Sequence, residues 1–195
     1  MTATWEAAVE VLRTKGLERR AEAFQLVSGE WSHDYVDCKR ALAQGSDLAI
    51  VARAVLDLVA SEGVDFDAVG GLTMGADPIA HAVAVLSGKR WFSVRKTPKK
   101  HGRQRLLEGA ELDETTRVLL VDDIVTTGGS ILDALNAIEE IGAPIVLAVT
   151  LCDRGETGRP RLEARGVRYR PLMTYKDMGI VPVGGAAASE AGPAA

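Results

Sequence analysis

Residues 117–130, RVLLVDDIVTTGGS, constrain this chain more than any other segment. A short run of branched apolar residues, 117–121, reads as a buried strand. It stops at two adjacent carboxylates, Asp122 and Asp123, which places the pair at the strand's carboxyl end. From Ser130 the apolar residues Ile131, Leu132, Leu135, Ile138 and Ile141 recur at helical spacing, and Gly142 followed by Pro144 stops the helix. The intervening loop 126–130 therefore aims backbone N–H groups at one spot, the place where a helix start holds a phosphate. Two carboxylates beside a phosphate cradle suit a sugar phosphate with free hydroxyls. The chain contains no G-x-x-x-x-G-K-[ST], which removes a nucleotide-triphosphate P-loop, and Gly128-Gly129 is not a dinucleotide fingerprint.

Around this segment the spacing alternates between strands and helices. Helical spacing covers residues 5–14, 17–24 and 46–61, with Ser46 as the expected N-cap of the last. Short strands are expected at 24–27, 35–36, 68–72, 91–94, 145–151 and 167–172, the last at a sheet edge, and Asp77-Pro78 opens a further helix. Alternating strands and helices imply an α/β fold with a mainly parallel sheet covered on both faces, whose ligands collect beyond the carboxyl ends of the strands. At 195 residues the chain fits one domain, expected over 1–183, with a disordered tail at 184–195 that lacks any apolar period. No stretch has the length of a membrane span and the N-terminus lacks a signal-peptide pattern, so a cytoplasmic protein is expected. Cys38 and Cys152 have no metal-ligand spacing and read as reduced thiols in or near the core. The tryptophans Trp5, Trp31 and Trp91 read as packing residues, and His33 and His81 as surface or packing histidines.

The net charge of −4 hides a concentrated block: residues 89–105 carry eight Lys or Arg plus His101, and no acid occurs from 78 to 107. Such a block either binds an anion or is solvated, and its part beyond the strand 91–94 reads as a long mobile loop. The acidic whole, and the lack of stacking aromatics in the loop beyond Val94, argue against a nucleic-acid binder.

The acid pair with its T-x-G-x-S loop resembles the ribose-phosphate signature of the type I phosphoribosyltransferases. Three further segments narrow the resemblance to the orotate phosphoribosyltransferase family: R-K-T-P-K-K-H-G at 95–102, S-G-E-W-S-H-D-Y-V-D at 28–37, and T-L-C-D-R at 150–154. The loop 71–80 is similar to one branch of that family. The resemblance implies a type I phosphoribosyltransferase fold, a mainly parallel central sheet flanked by helices with a small N-terminal hood near residues 20–40. It implies transfer of a phosphoribosyl group from phosphoribosyl pyrophosphate to orotate with Mg²⁺ riding on the substrate, in a homodimer whose basic loop closes over the neighbouring site. By the same resemblance Lys99 and His101 are catalytic. Arg95, Lys96, Lys99, His101, Asp122, Asp123, Thr126, Thr127, Gly128, Gly129 and Ser130 bind the donor, and Tyr35, Thr126 and Arg154 bind orotate. The chain departs from the pattern at Val27 and Gly75, where many members carry lysine. Another acceptor base, or a non-catalytic sensor of phosphoribosyl pyrophosphate, stays open at this level.

Overall fold

The computed structural model describes residues 2–26, 29–97 and 106–183. The tail 184–195, Val27, Lys99 and His101 lie outside these described residues.

Helix α1 (Ala3–Val11) is capped by the Thr2 hydroxyl and runs into a single π-helical turn at Leu12–Gly16. The helical spacing expected at 17–24 does not produce a helix. Leu17–Gln25 is instead strand β1, paired antiparallel with β2 (Trp31–Val36) in the register Leu17↔Val36 and Arg19↔Asp34. The two strands expected at 24–27 and 35–36 are thus the ends of one longer hairpin. Tertiary pairing overrides the helix-forming residues of this segment. At Gly16 the backbone passes so close that a Cβ would lie 3.2 Å from the Asp37 carbonyl oxygen and 3.3 Å from the Ala41 Cβ. The chain then turns through α2 (Cys38–Ala41), capped by the Asp37 carboxylate, into α3 (Gly45–Ser61). Helix α3 starts one residue before the expected cap: Gln44 holds the cap position with no side-chain bond, and Ser46 lies inside the first turn.

Strand β3 (Ala68–Leu72) leads to α4 (Asp77–Ser87), with proline in its first turn, and then β4 (Arg90–Val94). A short strand β5 (Leu107–Gly109), not foreseen from the spacing, pairs antiparallel with β4. Strand β6 (Val118–Val125) is longer than the apolar run that announced it, so Asp122 and Asp123 stand within the strand and not beyond its end. The cause is pairing: Asp122 opposes Thr150, and Ile124 and Val125 oppose Cys152 and Asp153 of the neighbouring strand. Helix α5 (Gly129–Glu139), β7 (Ile145–Asp153), α6 (Gly158–Glu163), β8 (Tyr169–Thr174) and α7 (Tyr175–Met178) complete the described chain.

The central sheet has the order β5-β4-β3-β6-β7-β8, parallel throughout except at β5, with β8 at the expected edge. Alternate residues of β6 serve opposite faces. Leu119 and Val121 join the core built on α1 to α4, whereas Val118 and Leu120 join the core built on α5 and α6. Both thiols are buried as expected. Among the tryptophans only Trp5 is held at the core, donating its indole N–H to the Leu172 carbonyl at 2.6 Å. Trp31 and Trp91 are exposed, and Trp91 meets His81 edge to face. No helix among the described residues is long and apolar enough to cross a membrane.

Candidate active site

The carboxyl ends of β3, β6 and β7 lie side by side, and their loops form one site. Asp122 is almost fully buried; its Oδ1 accepts the Asp123 N–H at 2.9 Å, while its Oδ2 is buried with no hydrogen-bond partner. Burial first, and the adjacent Asp123 charge second, push the Asp122 carboxyl well above the usual carboxylate range. Asp123 Oδ1 accepts the Ile124 N–H at 2.8 Å, and its Oδ2 meets the Lys39 ammonium at 3.1 Å. A buried acceptor without a partner costs free energy that a ligand hydroxyl relieves.

The loop after β3 closes down on this pair. A Cβ at Gly75 would sit 2.6 Å from Asp123 Oδ1 and 3.0 Å from Asp122 Oδ1, so any larger residue would displace both carboxylates from this arrangement. Asp77 holds the loop from behind, accepting from the Thr73 hydroxyl at 2.7 Å and the Ser93 hydroxyl at 2.6 Å. The strand beneath is equally tight: a Cβ at Gly71 would lie 2.0 Å from the Val121 carbonyl oxygen.

Beyond β6 the loop 126–130 turns through Gly128, whose φ of 82° is left-handed, into α5, which has no side-chain cap. The free N–H groups of its first turn are available to an anion. The β7–α6 connection presses on this loop from the other side. A Cβ at Gly158 would meet Val125 Cγ1 at 2.2 Å and the Thr126 oxygen at 3.2 Å, and Arg161 Nη1 donates to the Thr127 carbonyl at 2.6 Å. Thr126, Thr127, Gly128, Gly129 and Ser130 thus form one braced turn beside the acid pair.

Arg154 follows β7 directly, its N–H bonded to the Val125 carbonyl at 2.8 Å. The side chain is buried; Nη2 donates to the Asp34 carbonyl at 3.0 Å and lies 3.4 Å from the Ser32 hydroxyl, and Nε has no partner. Burial lowers its pKa from the ordinary arginine value. A cation in that state favours an anionic neighbour. Ser32 and Asp34 face inward on β2, and the exposed Tyr35 takes the alternate face, edge-on to Phe24 with the Arg20 guanidinium 4.6 Å from its ring. Tyr35 and Arg154 are therefore joined through one strand but not through direct contact. Arg95 points along the sheet edge, to the Thr97 carbonyl at 3.3 Å and Glu108 at 3.5 Å, and Lys96 is exposed.

Lys39, Ser32, Asp34 and Arg161 escaped the sequence reading. Their contacts span 34 to 122 residues, so no local spacing reports them. Among the described residues there is no group of three or more His, Cys, Asp or Glu that could hold a metal. The acid pair, with Lys39 on its outward oxygen, fits hydroxyls and a metal carried by the ligand better than a dication caged by protein.

A sequence model of the phosphoribosyl transferase domain matches residues 48–167. The chain is 44% identical over 161 residues to an orotate phosphoribosyltransferase of Streptomyces avermitilis, covering 80% of this chain and 87% of that protein. It is 40% identical over 157 residues to the enzyme of that name from Mycobacterium tuberculosis, covering 80% and 86%. The crystal structure of a Mycobacterium tuberculosis orotate phosphoribosyltransferase with 5-phospho-alpha-D-ribosyl 1-diphosphate superposes with a TM-score of 0.74 at 35% identity, over 90% of this chain and 98% of that one.

Proposed function

The chain belongs to the phosphoribosyltransferase family, among its orotate phosphoribosyltransferases, and from that premise we propose how its residues act. It transfers the 5-phosphoribosyl group from phosphoribosyl pyrophosphate to orotate, giving orotidine 5'-phosphate and pyrophosphate in pyrimidine biosynthesis. The observation that carries the assignment of roles is the unpartnered, buried Asp122 oxygen beside the uncapped start of α5.

In this reading the ribose 2- and 3-hydroxyls donate to Asp122 and Asp123, and the N–H groups and hydroxyls of loop 126–130 hold the 5-phosphate. Fixed at both ends, the ribose presents C1 toward the hood. As the bond from C1 to the pyrophosphate oxygen loosens, negative charge grows on the leaving group and positive charge on the ribose. Arg95, Lys96 and Lys99 suit the first, and His101 suits a hydrogen bond or proton for the departing oxygen. Arg154 attracts the orotate anion, with Thr126 and Tyr35 completing the acceptor side. Mg²⁺ would arrive with the donor, beside Asp122 and Asp123, and would supply charge neutralisation there. The protein acts as a cytoplasmic homodimer in this reading, with water kept from C1.

The test is orotate-dependent pyrophosphate release with and without Mg²⁺, set against uracil and hypoxanthine at equal concentration. Release with orotate and Mg²⁺ alone is expected. Release with uracil but not orotate overturns the reading. Lys99→Ala should lower turnover by about 10²- to 10⁴-fold, with donor affinity changing less.

A further inference from the structure

The acid pair has one cationic side chain at ion-pair distance among the described residues, and it does not come from the basic segment. Lys39 on α2 reaches across 84 positions of sequence to place Nζ 3.1 Å from Asp123 Oδ2. Because Asp123 Oδ1 already accepts the Ile124 N–H, Oδ2 is the oxygen left for a ligand, and Lys39 holds that one. The neighbouring Cys38 thiol lies 3.8 Å from the Asp123 carbonyl, so α2 is seated on this residue by two successive side chains.

The loop facing the pair brings no charge of its own to meet an anion. Thr73 is bound to Asp77, Met74 is exposed, and Gly75, which has no side chain, is pressed against both carboxylates. A diphosphate entering between this loop and the acid pair meets the Asp123 charge at close range, and that repulsion has to be offset nearby. An ammonium carries three donors, and Asp123 takes one. The Lys39 side chain is half-exposed, at 51%, and free to turn its remaining donors outward.

We propose that Lys39 is a donor-binding residue whose ammonium, anchored on Asp123, contacts the diphosphate of the sugar donor and supplies from α2 the charge that loop 73–76 lacks. The inference rests on the reading of this site as a phosphoribosyl pyrophosphate site. It predicts a contact to the diphosphate end and not merely support of Asp123.

Calorimetric titration without acceptor separates this from orotate turnover. The probes are phosphoribosyl pyrophosphate, inorganic pyrophosphate and ribose 5-phosphate, each with Mg²⁺, against the wild type, Lys39→Met, Lys39→Gln and Lys39→Arg. Loss of the ammonium should weaken phosphoribosyl pyrophosphate and inorganic pyrophosphate by about 10- to 100-fold, and ribose 5-phosphate by less than about threefold. Arginine should restore most of the loss. Unchanged donor affinity in both neutral variants overturns the proposal. So does a loss equal for ribose 5-phosphate and the donor, since Lys39 would then act only through Asp123. Wild-type donor binding with no orotate-dependent turnover would instead remove the acceptor assignment and leave Lys39 in place.

Discussion

The ribose-phosphate side of the site and the hood side are built by opposite means. On the first, β6, its loop and α5 are continuous in sequence and locked by neighbouring backbone: glycines at 71, 75 and 158 sit where a Cβ would strike a carbonyl, a carboxylate or a valine. On the second, β1 and β2 pair only with each other. The hairpin meets the central domain through Val36 and Leu17 at its base, which pack in the core, and through polar contacts such as Arg154 to the Asp34 carbonyl and Arg19 to the Gly179 carbonyl at 3.4 Å. Steric fit and buried strands fix the first side, whereas the second is packed at its base and held further out by single polar contacts worth about 1 to 3 kcal/mol each.

Breaking that contrast should begin with the glycines. Gly71→Ala places a methyl 2.0 Å from the Val121 carbonyl oxygen and should cost about 3 kcal/mol of unfolding free energy, read by denaturant titration. A loss under about 0.5 kcal/mol would show that β3 and β6 are not held so closely.

The buried acid should give the next effect. Asp122 keeps its proton in the folded protein at a pH where the unfolded chain has released it, so the folded state binds more protons and stability falls as pH rises above the ordinary carboxylate range. Between about pH 5 and about pH 8 the wild type should lose on the order of 2 kcal/mol relative to Asp122→Asn. Parallel pH profiles would assign the slope elsewhere.

Asp123→Asn keeps the shape and one acceptor but removes the charge. Donor affinity should drop by about 10- to 100-fold while unfolding free energy changes by about 1 kcal/mol or less, because its partner Lys39 is half-exposed. A large stability loss would make the residue structural. The smallest effect is expected in the hood. Arg20→Ala removes a cation stacked 4.8 Å from Phe24 and 4.6 Å from Tyr35, and should change global stability by under about 1 kcal/mol. Amide exchange should quicken in β1 and β2 and stay unchanged in the central sheet; equal quickening in both would dissolve the contrast.

The same division marks how far the sequence could be read. Strand β3, the opening of α4, and the β6–loop–α5 unit were legible because each is a continuous run whose period and punctuation report its burial. The helical spacing at 17–24 misled because β1 is mostly half-exposed, so its residue types carry no burial signal, and its strand form comes from pairing with β2. Strand β6 overran its apolar stretch because a parallel neighbour continued the ladder past the carboxylates. Ser46 looked like a cap from its residue type, yet α3 already begins at Gly45, with Gln44 at the cap position.

The sequence by itself determined a parallel α/β sheet, a strand–turn–helix unit that carries the acid pair at residues 122–130 and a resemblance that named the reaction. Tertiary structure alone decided that Asp122 is buried with an oxygen to spare, that Asp123 is paired with Lys39, and that Arg154 reaches Asp34 across 120 residues while Tyr35 faces away. Periodicity and turn chemistry act between neighbours in the chain, and a residue's type records them. Desolvation and ion pairing depend on what folding brings alongside from elsewhere, and no local pattern of residues records that.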